Sequence, residues 1–470
     1  MPPARRKTLA SLQDLFGIDS RSLALFRIGI ALVVLFDLAV RSADLAVFYT
    51  DAGVLPRAAL VGQARNEWTL SIHLLNGTAV VQAVLLCLQG ACAVGLLLGY
   101  RTRWMSVLSW FLMASLQRRN PLILGGADNY LRMMLFWGMF LPLGARYSLD
   151  RAFSVAPARP STRIFSVGTA AILLQTTLVY VMTALYKWRG TTWQDGSALR
   201  YAFNLDLYAK APAAWLLQFP WLLTWLTHAV LWFESLAPWL LFCPAFTRPI
   251  RVGLCVCFIL MQLGFGALLY LQLFPAVSMA AMLLFLPGST HAPERAAPWR
   301  TSRAANAVAA FFLFLVFFWV SAELMPSSVR MPKPLRRIGT MAYIDQAWRM
   351  FAPNPARVSG WLVVPGVLQD GAQVDLSRDG APVSWEKPPQ RLLFKNERWR
   401  KYLMHFLLKQ DRGVWRGYAR YLCRSWNAHH AGEQRLESLD IVLMARHTPP
   451  EGEAGPYEKK TLLHDGCGAL

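Results

Sequence analysis

The chain has 470 residues, of which 55% are apolar and 13% aromatic, and its mean hydropathy is positive. This composition is typical of a protein embedded in a lipid bilayer and argues against an ordinary soluble enzyme. The formal charge of +21 comes from arginines scattered through short loops and a tail. Because no basic helix is interleaved with aromatic residues, we expect membrane lipid and no nucleic acid as a partner.

The first 21 residues are basic and polar, and no short apolar core with a small-residue cleavage site follows them. We therefore expect no signal peptide, and we expect the first long apolar run to remain in the membrane. The apolar runs along the chain predict an α-helical polytopic membrane protein with about nine spans. The predicted spans lie near residues 22–40, 79–100, 103–117, 130–145, 164–187, 219–243, 251–270, 271–287 and 304–323.

Basic residues are more abundant in every second connection, beginning with the amino-terminal segment. By the positive-inside rule this pattern predicts an amino terminus in the cytoplasm. An odd number of spans then places residues 325–470 outside the cytoplasm. The inner segments carry 15 basic residues and the outer connections 8. Arg118 and Arg119, which this orientation places outside, fit it poorly.

Charged residues inside apolar runs are rare in membrane proteins and indicate a function unless they form structural ion pairs. Arg27 and Asp37 are ten residues apart in the first run. They lie on different helix faces, so each needs a partner on another helix. Asp128 and Arg132, at the start of the fourth run, are spaced to allow a direct pair. The predicted orientation gathers Asp37, Asp128, Arg132 and Lys187 in the outer half of the bilayer, which suggests a shared site.

Lys187 ends the fifth run, and Trp193 and Gly196 follow it in a predicted turn. Desolvation disfavours an ammonium group, so a lysine at this position can become a neutral base. The alternative is an anchor lysine that extends to the lipid surface, which is common at helix ends. His228 and Glu234 in the sixth run lie on different faces, so we expect no relay between them.

The long apolar runs end before Met325, and Pro326, Pro332 and Pro334, which cannot continue a helix, predict a linker. We therefore divide the chain into a membrane domain, residues 1–324, and a small extracytoplasmic α+β domain, residues 325–470. In the tail, the pattern predicts strands near 361–368, 372–376 and 436–445, a turn at 369–371, and helices near 397–409 and 414–426.

The tail contains two cysteines, Cys423 and Cys467. Outside the cytoplasm they could form a disulfide, and two free thiols are the alternative. No cysteine or histidine spacing typical of a metal site is present, so we expect no metal.

Several motifs, taken together and in order, resemble a known family. They are residues 25–28 with Asp37, 48–57, 98–103, 128–132, 141–144 with 148–150, Lys187 with Trp193 and Gly196, and 348–353. Over nearly all of its length the chain resembles the bacterial HTTM-domain membrane proteins, which are homologous to vitamin K-dependent gamma-carboxylase.

The resemblance implies a multi-pass protein of the bacterial inner membrane that uses reduced vitamin K or another membrane quinol. Lys187 would deprotonate the quinol. Oxygen would convert the quinol to an epoxide, and the strong base so formed would drive carboxylation of glutamate in a peptide or protein substrate. The residues expected around the substrate are Asp37, Asp128, Arg132, Trp193 and Gly196.

This chain departs from the animal enzymes of the family in several places. It has one lysine, preceded by Tyr186, where they have adjacent lysines, and Ala127-Asp128 where they have Asn-His. It also lacks most of their lumenal region, so quinol oxidation is better supported than carboxylation. The alternative function is a non-catalytic membrane factor for export or maturation of a peptide or protein. A transporter is disfavoured because the chain shows no inverted repeat, and the sequence does not give an oligomeric state.

Overall fold

The computed structural model describes residues 11–62, 70–154, 163–288, 301–325, 331–389, 392–449 and 455–469. The beginning of the basic amino-terminal segment and Pro326 lie outside the described residues. In chain order the helices before residue 326 are α1 (Leu12–Phe16), α2 (Ser20–Ser42), α3 (Leu45–Tyr49), α4 (Arg57–Gly62), α5 (Ala79–Leu98), α6 (Thr102–Arg119), α7 (Gly126–Gly138), α8 (Leu149–Ala152), α9 (Val167–Lys187), α10 (Thr191–Gln194), α11 (Ala198–Phe203), α12 (Ala211–Leu216), α13 (Pro220–Leu240), α14 (Thr247–Leu268), α15 (Leu273–Met282) and α16 (Arg303–Leu324).

Each apolar run predicted as a span contains a helix. Five helices in the described part of the chain are long and apolar enough to cross a membrane, namely α2, α5, α9, α14 and α16. The helices in the other four runs are α6, α7, α13 and α15. Of these, α7 has 13 residues and α15 has 10, which is fewer than the roughly 20 needed to span the hydrocarbon core. The chain is thus a mostly helical membrane protein.

Local signals in the sequence determine where these helices begin and end. Ser166 starts α9 with a reciprocal capping box. Gly99 ends α5 with φ at +73°, a conformation that glycine adopts without a steric penalty. The carboxylate of Asp150 then accepts hydrogen bonds from the backbone N–H groups of Arg101 and Thr102 at 2.6 and 2.8 Å. This carboxylate caps the start of α6. The connection between α5 and α6 is therefore a tight turn, and the two helices pack together.

The two arginines that fit the predicted orientation poorly have structural partners. Arg119 is fully buried and donates to the carbonyl oxygens of Leu55 and Thr50, both at 2.9 Å. Arg118 forms an ion pair with Asp345 of the tail at 2.6 Å. Their positive charges are therefore used in packing and carry little information about the side of the membrane.

The tail contains a small antiparallel sheet flanked by helices. Strand β6 is central: it pairs with β3 and β4 in succession along its length and with β7, and β5 adds to β4. Two further short strands, β1 and β2, pair near the amino terminus. The bounds are β1 (Ile18–Asp19), β2 (Arg163–Ile164), α17 (Lys333–Met341), β3 (Val358–Val363), β4 (Pro365–Leu368), β5 (Gln373–Asp375), α18 (Glu397–Met404) followed by a π-helical turn (His405–Lys409), α19 (Arg412–Asn427), β6 (Leu436–His447) and β7 (Glu458–Gly466).

The predicted tail elements are present, with three differences. The single strand predicted at 361–368 is divided into β3 and β4, which pair with different parts of β6. The predicted hairpin turn joins β4 and β5, with Gly371 at φ +81°. The predicted linker is partly wrong, because Pro332 and Pro334 stand at the start of α17, where a missing backbone N–H is harmless. Strand β7 was not predicted, because its sequence is polar at most positions and lacks a clear alternation.

A disulfide joins Cys423 of α19 to Cys467, which follows β7. We expect the double variant Cys423→Ala/Cys467→Ala to lose about 2–4 kcal/mol of tail stability, because the bond closes a loop of 44 residues. Thermal unfolding should show a lower midpoint for this variant, and reductant should lower the midpoint of the parent protein but not that of the double variant. Cys87→Ala is the matched control, because Cys87 is unbonded. A parent midpoint insensitive to reductant would contradict the prediction.

Candidate functional site

A cavity of about 200 Å³ lies where α9, α13 and the α14–α15 connection meet the tail. Its wall combines aromatic and apolar side chains with eight charged ones. The basic residues are Lys187, Arg349, Arg398, Arg400 and Lys401, and the acidic residues are Asp128, Glu234 and Glu397. When the ionic partners outside the wall (Arg41, Asp37 and Glu323) are included, six cations stand against five anions. The site therefore has a small excess of positive charge and favours a ligand that is anionic or that becomes anionic.

The amine of Lys187 occupies one side of this cavity. Its Nζ lies 2.7 Å from Oε2 of Glu234 on α13 and 4.1 Å from the centre of the Trp193 ring. Lys187 is 4% exposed and Glu234 is 3% exposed, so bulk water does not screen the pair. The carboxylate and the aromatic face both contact the amine and hold it in place. The lysine is thus enclosed by protein and is not an anchor that extends to the lipid surface.

The loop after Lys187 is held in place by the tail. The indole N–H of Trp193 donates to the carbonyl oxygen of Phe351 at 2.9 Å. The backbone N–H and the hydroxyl of Thr192 both donate to Oδ1 of Asn354. Because Phe351 also lines the cavity, this tail segment both positions the tryptophan and forms part of the wall.

A buried cluster of four charges borders the cavity. Arg41 pairs with Asp37 at 2.8 Å and with Asp128 at 2.5 Å, and Arg398 of α18 pairs with the same two carboxylates at 2.5 and 2.9 Å. All four side chains are at most 3% exposed. Arg41 also donates to the hydroxyl of Tyr49 at 2.6 Å. The charges of the cluster sum to zero, which is the condition under which a buried ionic group is tolerated.

A second group of tail side chains forms another part of the cavity wall. The guanidinium of Arg400 lies 4.2 Å from the ring centre of Tyr208 and is paired with Glu397. The amine of Lys401 lies 5.8 Å from the same ring. Burial raises the pKa of Tyr208, but the charges of Lys401 and Arg400 outweigh this effect and lower the pKa of Tyr208 below its ordinary value. The phenol is therefore a better proton donor than a free tyrosine.

The structure distributes the residues expected at the site over three locations. Lys187, Trp193 and Asp128 line the cavity, and Asp37 lies behind Asp128 in the charge cluster. Arg132 is not among the described lining residues. It donates to Gln117 and to the carbonyl oxygen of Asp345. The direct pair allowed by the spacing of Asp128 and Arg132 does not form, because each side chain has a closer partner.

Gly196 also lies away from the cavity wall. It has φ at +82°, and a Cβ atom built on it would lie 2.5 Å from Thr224 and 2.9 Å from His228. Its function is therefore close packing of the turn against α13. His228 contacts the carbonyl oxygen of Gln194 and not Glu234, which agrees with the expected absence of a relay. Arg27 donates to the carbonyl oxygens of residues 143 and 147.

Several lining residues were not predicted from the sequence. Helical spacing relates Glu234 only to His228 on its own helix, whereas its ionic partner, Lys187, is on α9. Arg398, Arg400 and Lys401 belong to α18, a polar helix whose sequence is typical of a solvent-exposed surface. A useful signal was the apolar run that contains Glu234, since a buried carboxylate requires a cation from another element.

No group of three metal-binding side chains is close enough to hold an ion in the described ranges. No protein-family model, curated protein or solved structure matches the chain.

Proposed function

We propose that this protein is a membrane enzyme similar to vitamin K-dependent gamma-carboxylase, in which Lys187 removes a proton from a quinol, with coupled carboxylation as a further step. The observation that carries the proposal is the position of the amine. Lys187 is buried beside Glu234 and Trp193, and it faces a cavity large enough for a small aromatic ring rather than solvent. A site of this kind excludes water and fixes the orientation of a bound ring.

The residues present fit a flat phenolic ligand. Trp193, Phe274 and Phe351 line the cavity and would hold the ring, and Lys187 would face one hydroxyl group. A bound quinol would supply an acidic hydroxyl and the electrons that reduce oxygen. Asp128 would act on the ligand only through Arg398, because its carboxylate is already engaged in the charge cluster.

Glu234 supplies a route by which the amine becomes a base. The N–H···O distance of 2.7 Å allows one proton to move from Nζ to Oε2, which leaves a neutral amine beside a neutral carboxylic acid. The amine can then accept the hydroxyl proton and become an ammonium group again. The positive charge of Arg400 and Lys401, which line the same cavity, stabilises the anion produced.

We also propose that the chain crosses the inner membrane nine times, with a cytoplasmic amino terminus and an extracytoplasmic tail. The five long apolar helices support five of these crossings, and α6, α7, α13 and α15 occupy the four other predicted runs. The Cys423–Cys467 disulfide supports the location of the tail, because such bonds persist in oxidising compartments. Thiol labelling of single cysteines placed in the connections, in intact cells, tests this topology.

The direct test of the activity uses purified protein in lipid nanodiscs with reduced 2-methyl-1,4-naphthoquinone and oxygen. We expect the parent protein to form the epoxide, and we expect Lys187→Ala to reduce the rate by about 10²–10⁴-fold, the usual effect of removing a general base. Lys460→Ala is the matched control, because Lys460 is exposed in β7. Epoxide formation by Lys187→Ala at the parental rate would refute the role of the amine.

A non-catalytic factor for export or maturation predicts a different result. Lys187→Ala would then leave the cellular phenotype intact. Deletion of residues 325–470 does not separate the two functions, because Phe351, Arg398, Arg400 and Lys401 of the tail line the cavity.

A further inference from the structure

Two glutamines on the cavity wall have amide oxygens without a partner in the protein. Gln262 of α14 is 1% exposed, and its Nε2 donates to the hydroxyl of Tyr180 at 3.2 Å, while its Oε1 has no hydrogen-bond donor. The Oε1 atom of Gln272 is also buried and without a donor. Both residues and Tyr180 line the cavity. Buried polar atoms are nearly always satisfied, so two unsatisfied acceptors in one cavity indicate a ligand that donates to them.

The backbone at Gln272 gives a second, independent indication. This residue has φ at +46° and ψ at −104°, a conformation that is costly for any residue other than glycine. It forms the connection between α14 and α15, at the edge of the cavity. Strained non-glycine residues are concentrated at ligand-binding sites, where the surrounding structure holds them in place.

The glutamines and Lys187 are at different positions along the cavity. Tyr180 and Lys187 are seven residues apart on α9, which corresponds to about 10 Å along the helix axis. Both side chains lean toward the amino terminus of the helix, so their polar ends keep approximately the spacing of the backbone. A single ring can therefore lie between the amine and the Tyr180–Gln262 pair.

We propose that Gln262 and Gln272 are specificity-determining residues whose amide oxygens share the proton of a second hydroxyl of the ligand in a three-centre hydrogen bond, opposite the hydroxyl that Lys187 deprotonates. This inference rests on the proposed function. The two amides would orient the ring so that its reacting hydroxyl faces Lys187. They would also discriminate against an aromatic alcohol with only one hydroxyl, because that ligand leaves both buried acceptors unpaired.

The test measures binding, under argon, of 2-methyl-1,4-naphthalenediol and of 1-naphthol to protein in nanodiscs by equilibrium dialysis. We expect the parent protein to bind the diol about ten- to a hundredfold more tightly than the mono-alcohol. Gln262→Met and Gln272→Met should each reduce this ratio about tenfold. Gln89→Met is the matched control: Gln89 is fully buried with an unpartnered amide but is not among the described residues that line the cavity.

Equal affinities of the parent protein for the two ligands would overturn the inference without the use of any variant. An unchanged ratio in both glutamine variants would overturn it as well, while the proposed role of Lys187 would stand. If the ratio responds as expected but the diol is never oxidised in oxygen, the glutamine assignment stands and the proposed enzymatic function fails.

Discussion

Lys187→Arg is expected to leave the protein folded and to reduce quinol oxidation by about 10²–10⁴-fold. Arginine can keep the ion pair with Glu234 and the contact with the Trp193 ring, but it remains protonated in proteins and cannot act as a base. The loss of activity would therefore be chemical and not structural. The measurement is the rate of epoxide formation together with the thermal unfolding midpoint of the same preparation.

Two further variants distinguish the contribution of the Lys187 charge to stability from its role as a base. Lys187→Met leaves the Glu234 carboxylate buried and unpaired, so we expect it to cost about 3–5 kcal/mol of stability. Lys187→Met/Glu234→Gln should recover most of that stability and none of the activity. Substantial turnover by Lys187→Arg would show that the position serves as a cation only, and the proposed mechanism would then be abandoned.

Arg398→Met is expected to be the most destabilising single substitution in the tail. It removes one of the two cations of the charge cluster and leaves Asp37 and Asp128 to share Arg41, so a net negative charge remains buried. Removing one partner of a buried ionic group typically costs about 3–5 kcal/mol. The measurement is the thermal midpoint of the full-length protein, combined with protease sensitivity of the tail.

A compensating variant tests the electrostatic reason for this effect. Arg398→Met/Asp37→Asn restores a net charge of zero, so it should be more stable than Arg398→Met alone. Arg420→Met, an exposed arginine of α19, is the control for loss of an arginine from the tail and should change the midpoint little. If the double variant is less stable than the single one, neutrality of the cluster is not what holds the tail.

The sequence predicts correctly those helices and turns whose formation depends on a single segment of the chain. Hydrophobic runs are a property of single segments, and each predicted run contains a helix. The same holds for α18, α19 and the hairpin around Gly371. Strand β7 escaped prediction because it is an edge strand, and its pairing with β6 depends on main-chain hydrogen bonds more than on an apolar face.

The site was less predictable because its contacts connect distant parts of the chain. Lys187 and Glu234 are 47 residues apart, and Asp37 and Arg398 are 361 apart. Helical spacing can place two residues of one helix on a face, but it contains no information about which helices are neighbours. Asp128 and Arg132 illustrate this limit, since a favourable spacing was outweighed by partners in the tail.

The charge cluster has a consequence for how the protein is made. Asp37, Arg41 and Asp128 are synthesised early, whereas Arg398 leaves the ribosome 270 residues after Asp128. A nascent or truncated chain that ends before α18 therefore contains two carboxylates and one guanidinium in its helical bundle. Such a chain carries an uncompensated anion in its helical bundle until Arg398, at position 398 of 470, has been synthesised. Premature termination products should consequently be poor at assembly and good substrates for membrane proteases, so that only complete molecules accumulate.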